Sequence, residues 1–221
     1  MRFWSHVAEL VKKDLRTEGR SGEIFFVTIP FGVLALFLIP FALPNDQELL
    51  SIIGGGMFWV VLLLFGMTLT FRHSETGAQR MLMSMLGMDP AARFVARVIA
   101  SALLLLAFSL VLVPTVVILY EPITPAGWPI LSVILVMVCL GIAAIGTLSG
   151  EVTIGLRNRT VLAPLLVAPL SVPLLVPAAV ATDSLSSQGS ILVPALIILF
   201  ALLGVTAIGV LTARPLEEAS R

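Results

Sequence analysis

Read for hydrophobic and polar positions alone, the chain alternates between long uncharged runs and short polar connections. Six runs, residues 24–43, 50–71, 98–120, 127–149, 161–182 and 190–213, contain no Asp, Glu, Lys, Arg or His. A helix crossing a hydrocarbon core of roughly 30 Å needs about 20 apolar residues, and each run is that long. A charge at the centre of such a helix costs about 2.5–3.5 kcal/mol on the insertion scale, so clean runs are what a spanning helix requires. Barrel strands alternate over about ten residues and cannot give continuous apolar runs; helices remain as the way to satisfy backbone polar groups in lipid. The fold class expected is an all-α integral membrane protein with six transmembrane helices. The whole chain, 1–221, reads as a single polytopic membrane domain: a cytoplasmic amphipathic segment over 1–23, six spans over 24–213 and a cytoplasmic tail over 214–221.

Two further helices follow from periodicity. In residues 2–16, RFWSHVAELVKKDLR, the residues Trp4, Val7, Val11 and Leu15 share a helical face while most charges fall elsewhere, which predicts an interfacial amphipathic helix. The connection after the second run has its own punctuation: Ser74 can cap a helix, Gly87 can end it, and Asp89-Pro90 can open the next. Between Ser74 and Gly87, Ala78, Met81, Leu82, Met85 and Leu86 fall at i, i+3, i+4, i+7 and i+8, the pattern of a short amphipathic helix. The unbranched thioether of Met fits irregular grooves, so this helix is the expected docking surface for a partner.

Composition excludes a soluble fold. The chain is 58% hydrophobic and 12% charged, with mean hydropathy +1.09, where a soluble domain is about a quarter charged. Net charge is zero, but all 13 Lys and Arg lie in the N-terminal segment, in alternate connections and in the C-terminal tail. By the positive-inside rule both termini are expected in the cytoplasm. The outer connections carry only Asp46, Glu48, Glu121 and Asp183, so no outer domain is expected to capture a substrate. The nine charges in the first 23 residues leave no apolar core for a cleavable signal, and the first span is expected to target the chain itself.

The fifth run holds Pro164, Pro169, Pro173 and Pro177. Each removes a backbone donor and crowds the preceding turn, so this helix is expected to be kinked or broken and to lie against protein or a cavity, as a hinge or a pathway wall. Gly146 and Gly150 of the fourth run form a small-xxx-small pair that lets backbones approach closely.

No catalytic, cofactor or metal residue is expected. Intramembrane serine chemistry needs a His base in the spans and aspartyl chemistry needs paired Asp, and the spans hold neither. His6 and His73 lie in polar cytoplasmic segments, and no Cys/His cluster has metal-site spacing. Residues 150–155 begin like a phosphate-binding loop, but Leu156 and Arg157 stand where Lys and Ser/Thr belong. An ion-coupled transporter places ionisable groups along its pathway, and these spans have none. The energy for any transport is therefore expected to enter through another subunit.

Together these features resemble the type-2 ABC exporter permeases: an N-terminal interfacial elbow helix, six spans, both ends inside and a cytoplasmic coupling helix after span two. The stretch GTLSGEVTIGLRNRTVLAPLLVAPLSVPLLVPA, residues 146–178, together with FWSHVAELVKKDLR and FRHSETGAQRMLM, is similar to the CcmB-type permeases of cytochrome c maturation, the haem exporter protein B family. The resemblance implies a permease in a bacterial-type inner membrane. It further implies a cytoplasmic ABC ATPase subunit that binds the ATP, a haem-handling membrane subunit and a haem chaperone. Haem is then a transported or partner-held ligand. A second permease copy and membrane lipid complete the expected partners, with no nucleic acid. Members of that family tend to carry an acidic residue near Arg80, so ATPase contact here is expected to use a different charge pairing. For haem itself the outer half offers only Tyr120, Met57 and, deeper, Cys139 as donors, each expected to be an anchor or packing residue. The architecture without residues 146–178 fits two other readings, a type-2 ABC permease for a lipid, glycan or drug and a membrane scaffold without an ATPase.

Overall fold

The computed structural model describes residues 2–22, 24–42, 47–72, 89–120, 127–153, 159–186 and 189–219. Among them there are seven α-helices and no strand: α1 (Arg2–Ser21), α2 (Ile29–Ala42, entered through a π-helical turn at Ile24–Thr28), α3 (Gln47–Arg72), α4 (Pro90–Tyr120), α5 (Trp128–Val152), α6 (Arg159–Ser186) and α7 (Leu192–Ala219). Five of these contain apolar stretches long enough to cross a membrane: Leu49–Thr68, Pro90–Tyr120, Trp128–Val152, Leu162–Leu185 and Leu192–Ala213.

The first hydrophobic run departs from the expected full-length span. Its apolar helix, Phe26–Phe41, is shorter than the others. The 14 α-helical residues of α2 rise only about 21 Å at 1.5 Å per residue. The wide π turn consumes residues at the start, and Pro40 sits within the last turn.

The amphipathic helix predicted over residues 2–16 forms as α1. It packs on the beginning of α4, with Val7 and Leu10 against Ala92 and Ala96. At the same end, Gly209 of α7 meets the Phe94 ring of α4. The expected start of α4 is also found: the Asp89 carboxylate accepts a hydrogen bond from the Ala91 N–H at 3.1 Å, and Pro90 takes the first helical position, where an N–H has no partner to lose.

Helix α5 is the axis of the bundle, touching α3, α4, α6 and α7. From Val138 to Gly150 it is buried almost all round, and this stretch is rich in Gly, Ala, Ser and Thr, with Gly146 and Gly150 among its buried residues. Two crossings are possible only because a side chain is missing. A Cβ on Gly66 of α3 would lie 2.5 Å from Ile142 Cγ2, and one on Gly141 would lie 2.5 Å from Leu174 Cδ1 of α6. Around this axis Phe65 of α3 stacks on Phe108 of α4, centroids 3.7 Å apart and planes 18° off parallel. The Trp59 indole N–H donates to Thr182 Oγ1 of α6 at 3.0 Å, and the Thr182 hydroxyl donates to the Ala178 carbonyl at 2.9 Å. Helix α7 is the outermost span; only 11% of its apolar window is buried, so its remaining surface suits lipid.

Tyr120, at the end of α4, is fully buried and its hydroxyl donates to the Leu36 carbonyl of α2 at 2.6 Å. In a continuous α-helix that carbonyl would accept from residue 40, which here is Pro40 and has no N–H. The phenol replaces the missing donor. Tyr120→Phe is therefore expected to cost about 1–3 kcal/mol. In a Pro40→Ala background the restored N–H takes the carbonyl and most of that cost disappears. A thermal-unfolding double-mutant cycle checks this, and equal costs in the two backgrounds would show that the residues do not act together.

Candidate functional site

At the end where α1 packs, the described residues include the buried charged groups of the bundle. The Arg97 guanidinium of α4 pairs with the Glu151 carboxylate of α5 at 2.7 Å, the side chains 11% and 17% exposed. One turn before Arg97, Arg93 is buried, as is Glu18 of α1. Arg97 stands just before the third uncharged run and Glu151 just after the fourth, so each helix enters the membrane immediately past its charge. The last turn of α5 is closed by Thr153, whose N–H and hydroxyl both donate to the Ser149 carbonyl, at 3.1 and 2.8 Å. Sequence reading used Arg97 only for orientation, met Glu151 only within the failed phosphate-loop match, and missed the pair. Its signal was an acid and a base bordering adjacent runs, a spacing of 54 residues that becomes a contact only when the two helices are antiparallel neighbours.

Helix α6 runs unbroken through Pro164, Pro169, Pro173 and Pro177. Its inner face, Ala163, Val167, Ser171, Leu174, Ala178 and Ala181, is buried. Pro177 is buried with it and Pro164 is half-buried, whereas Pro169 and Pro173 are exposed on the outer side. The expectation that the helix lies against protein thus holds for one face. The ring nitrogens of Pro169, Pro173 and Pro177 offer no donor to the carbonyls of Leu165, Pro169 and Pro173, which follow one another at four-residue spacing.

Ala78, Met81, Leu82, Met85 and Leu86, the expected docking surface, lie outside the described residues. What is described is the helix they feed into: α4, capped at Asp89. The haem-donor candidates are occupied elsewhere: Tyr120 holds Leu36, Cys139 is fully buried and Met57 packs on the core. The void lined by Gly55, Phe58, Trp128 and Thr182 is about 30 Å³, room for about one water. Among the described residues no group of His, Cys, Asp and Glu is arranged to hold a metal.

Several membrane helices thus meet on one axis, and an ion pair fastens two of them at one end. Residues 5–218 match the family described as CcmB protein. The chain belongs to the CcmB family. Among curated relatives it is 28% identical to "Heme exporter protein B" of Haemophilus influenzae over 173 residues, 76% of this chain and 77% of that protein. It is 27% identical to "Heme exporter protein B" of Rhodobacter capsulatus over 171 residues, 76% of this chain and 78% of that one. The family read from residues 146–178 is thus borne out across nearly the whole CcmB chain, which is a multi-pass membrane protein.

Removing one member of the Arg97–Glu151 pair takes a short charge-assisted contact from the other in a largely dry site. Arg97→Met or Glu151→Met alone is expected to destabilise by on the order of 2–4 kcal/mol, whereas both together stay within about 1 kcal/mol of the parent. Thermal unfolding of the purified protein in nanodiscs is the measurement, and additive losses in the double variant would refute the coupling.

Proposed function

We propose that this protein is the permease of an ABC-type exporter that serves haem delivery for c-type cytochrome biogenesis. ATP is hydrolysed in a separate cytoplasmic subunit, and the work done here is haem export or release of a haem-loaded chaperone. The observation that carries this is the family match over residues 5–218 together with two relatives named heme exporter protein B. The further partners are a haem-handling membrane subunit, a haem chaperone and a second permease copy. The membrane is a bacterial-type inner membrane, with both termini cytoplasmic and the chain acting as one membrane domain.

In this reading α2 and its π turn complete a sixth crossing. Supporting it, Gly32 of α2 lies against Phe108 and Leu112, well along α4, and Leu36 reaches Tyr120 at the far end of α4. With six crossings, α1 and the end of α7 share the side on which the chain carries its Lys and Arg.

The ATPase docks on the connection helix through Ala78, Met81, Leu82, Met85 and Leu86. Motion there passes directly into α4, which begins at the Asp89 cap, and from α4 into the α5 axis through Arg97 and Glu151. The proline helix α6 lies against that axis and flexes as it moves, Pro164, Pro169, Pro173 and Pro177 lowering its resistance to bending.

Leu82→Glu and Met85→Glu are expected to reduce co-purification of the ATPase subunit several-fold and to lower c-type cytochrome formation in cells that depend on this gene. Full association and full cytochrome formation in both variants would remove this helix as the dock. Should the unaltered gene fail to restore c-type cytochromes to a strain lacking its own haem exporter protein B, the haem assignment itself falls.

A separate expectation concerns α6. Replacing Pro169 and Pro173 together by Ala restores two backbone donors and stiffens the helix. Cytochrome formation is expected to drop while membrane levels of the protein hold; unchanged activity would make the prolines a packing feature only.

A further inference from the structure

Helix α1 does not bury its whole apolar face. Between it and α4 runs an open groove of about 570 Å³, floored by Val7, Val11 and Leu15 of α1 and Ile99 of α4, with Trp4 at one end. Trp4 is 67% exposed, the position of an aromatic ring at a headgroup boundary rather than in a core. Two cations, Lys12 and Arg16, complete the lining. They are one turn apart and exposed, and among the described residues neither has an ion-pair partner. The other charges of α1 that face outward, Glu9, Lys13 and Arg20, are not part of the groove.

An apolar open groove with paired positive charges on its rim suits an amphiphile whose polar end is an anion. An acyl chain covers the Val7, Val11, Leu15 and Ile99 floor, which water would otherwise cover at the usual cost of apolar exposure. Phosphate oxygens take Lys12 and Arg16, whose own methylene stems lie along the groove wall. The inner leaflet supplies such molecules at the depth where an interfacial helix lies. We propose that the α1–α4 groove is a binding site for one anionic phospholipid of the cytoplasmic leaflet. That lipid wedges α1 against the base of α4, the helix that also carries Arg97. The proposal rests on the cytoplasmic placement of α1 given above and is independent of what the exporter moves.

The test uses the full chain, purified in mild detergent and reconstituted in nanodiscs of phosphatidylcholine containing a minor fraction of phosphatidylglycerol. Lipid retained after re-extraction is counted by native mass spectrometry. Lys12→Gln with Arg16→Gln is compared with Lys13→Gln with Arg20→Gln, which removes the same charge from the same helix outside the groove. The groove pair is expected to lose retained phosphatidylglycerol several-fold relative to the control pair, with phosphatidylcholine unchanged. Ala8→Trp, which fills the groove and keeps both cations, is expected to displace the lipid equally well. Equal losses in the two charge pairs would reduce the effect to general surface attraction and overturn the site. So would full retention in Ala8→Trp, or a photo-crosslinker at Val11 that captures a protein chain instead of phospholipid in native membranes. Because the readout is lipid retention in symmetric nanodiscs, it stands or falls separately from haem export and from the sidedness of the chain.

Discussion

In a bilayer, apolar side chains gain nothing by leaving lipid for one another, so helices stay together only where their backbones come close enough for dense packing and for hydrogen bonds between them. Everything else in this protein follows from how α5 meets that constraint. From Val138 to Gly150 it is rich in Gly, Ala, Ser and Thr and is accordingly thin. Four helices can then reach it at once. Bulk and notch are exchanged across the crossings: Leu174 of α6 lies over Gly141 of the axis, and Ile142 of the axis fills the notch left by Gly66 of α3.

The second demand of lipid is that no backbone or hydroxyl group be left bare. Most hydroxyls in the spans solve this locally by donating back to a carbonyl three or four residues earlier, as Thr115, Thr147, Ser171, Thr206 and Thr212 do. Local solutions fail where proline has removed the donor. At Pro40 the repair comes from a distant helix, through Tyr120. At α6 the residues whose carbonyls lose a donor, Leu165, Pro169 and Pro173, are exposed on the outward side, so the same chemical rule meets a different surrounding there.

Much of this was legible in the sequence, because spans, the amphipathic α1 and the Asp89-Pro90 helix start are all local patterns. The first run forms a shorter apolar helix than its length suggested, since hydropathy counts residues and does not see the π turn that opens it or the proline near its end. Tyr120 read as a boundary aromatic. Its hydroxyl reaches the Leu36 carbonyl, and no single-window argument joins positions 84 residues apart. Arg97 and Glu151 failed to stand out for the same reason. The family, by contrast, came from residues 146–178, a stretch whose prolines, glycines and polar residues are too particular for generic apolar spans to imitate. The coupling residues 78–86 lie outside the described residues, so periodicity alone speaks for them.

The central position of α5 also has a consequence for how the protein is made. Helices α2, α3 and α4 are synthesised before it and must wait in lipid until the chain has been translated past Val152. They do not wait as strangers: the Phe65–Phe108 stack, the Tyr120–Leu36 bond and the seating of Gly32 on Phe108 all connect members of this early group. The order of residues along the gene thus gives the nascent chain a provisional three-helix cluster, held by aromatic rings and one phenol, into which the slender fourth helix inserts as a key. Helices α6 and α7 arrive at a bundle already centred.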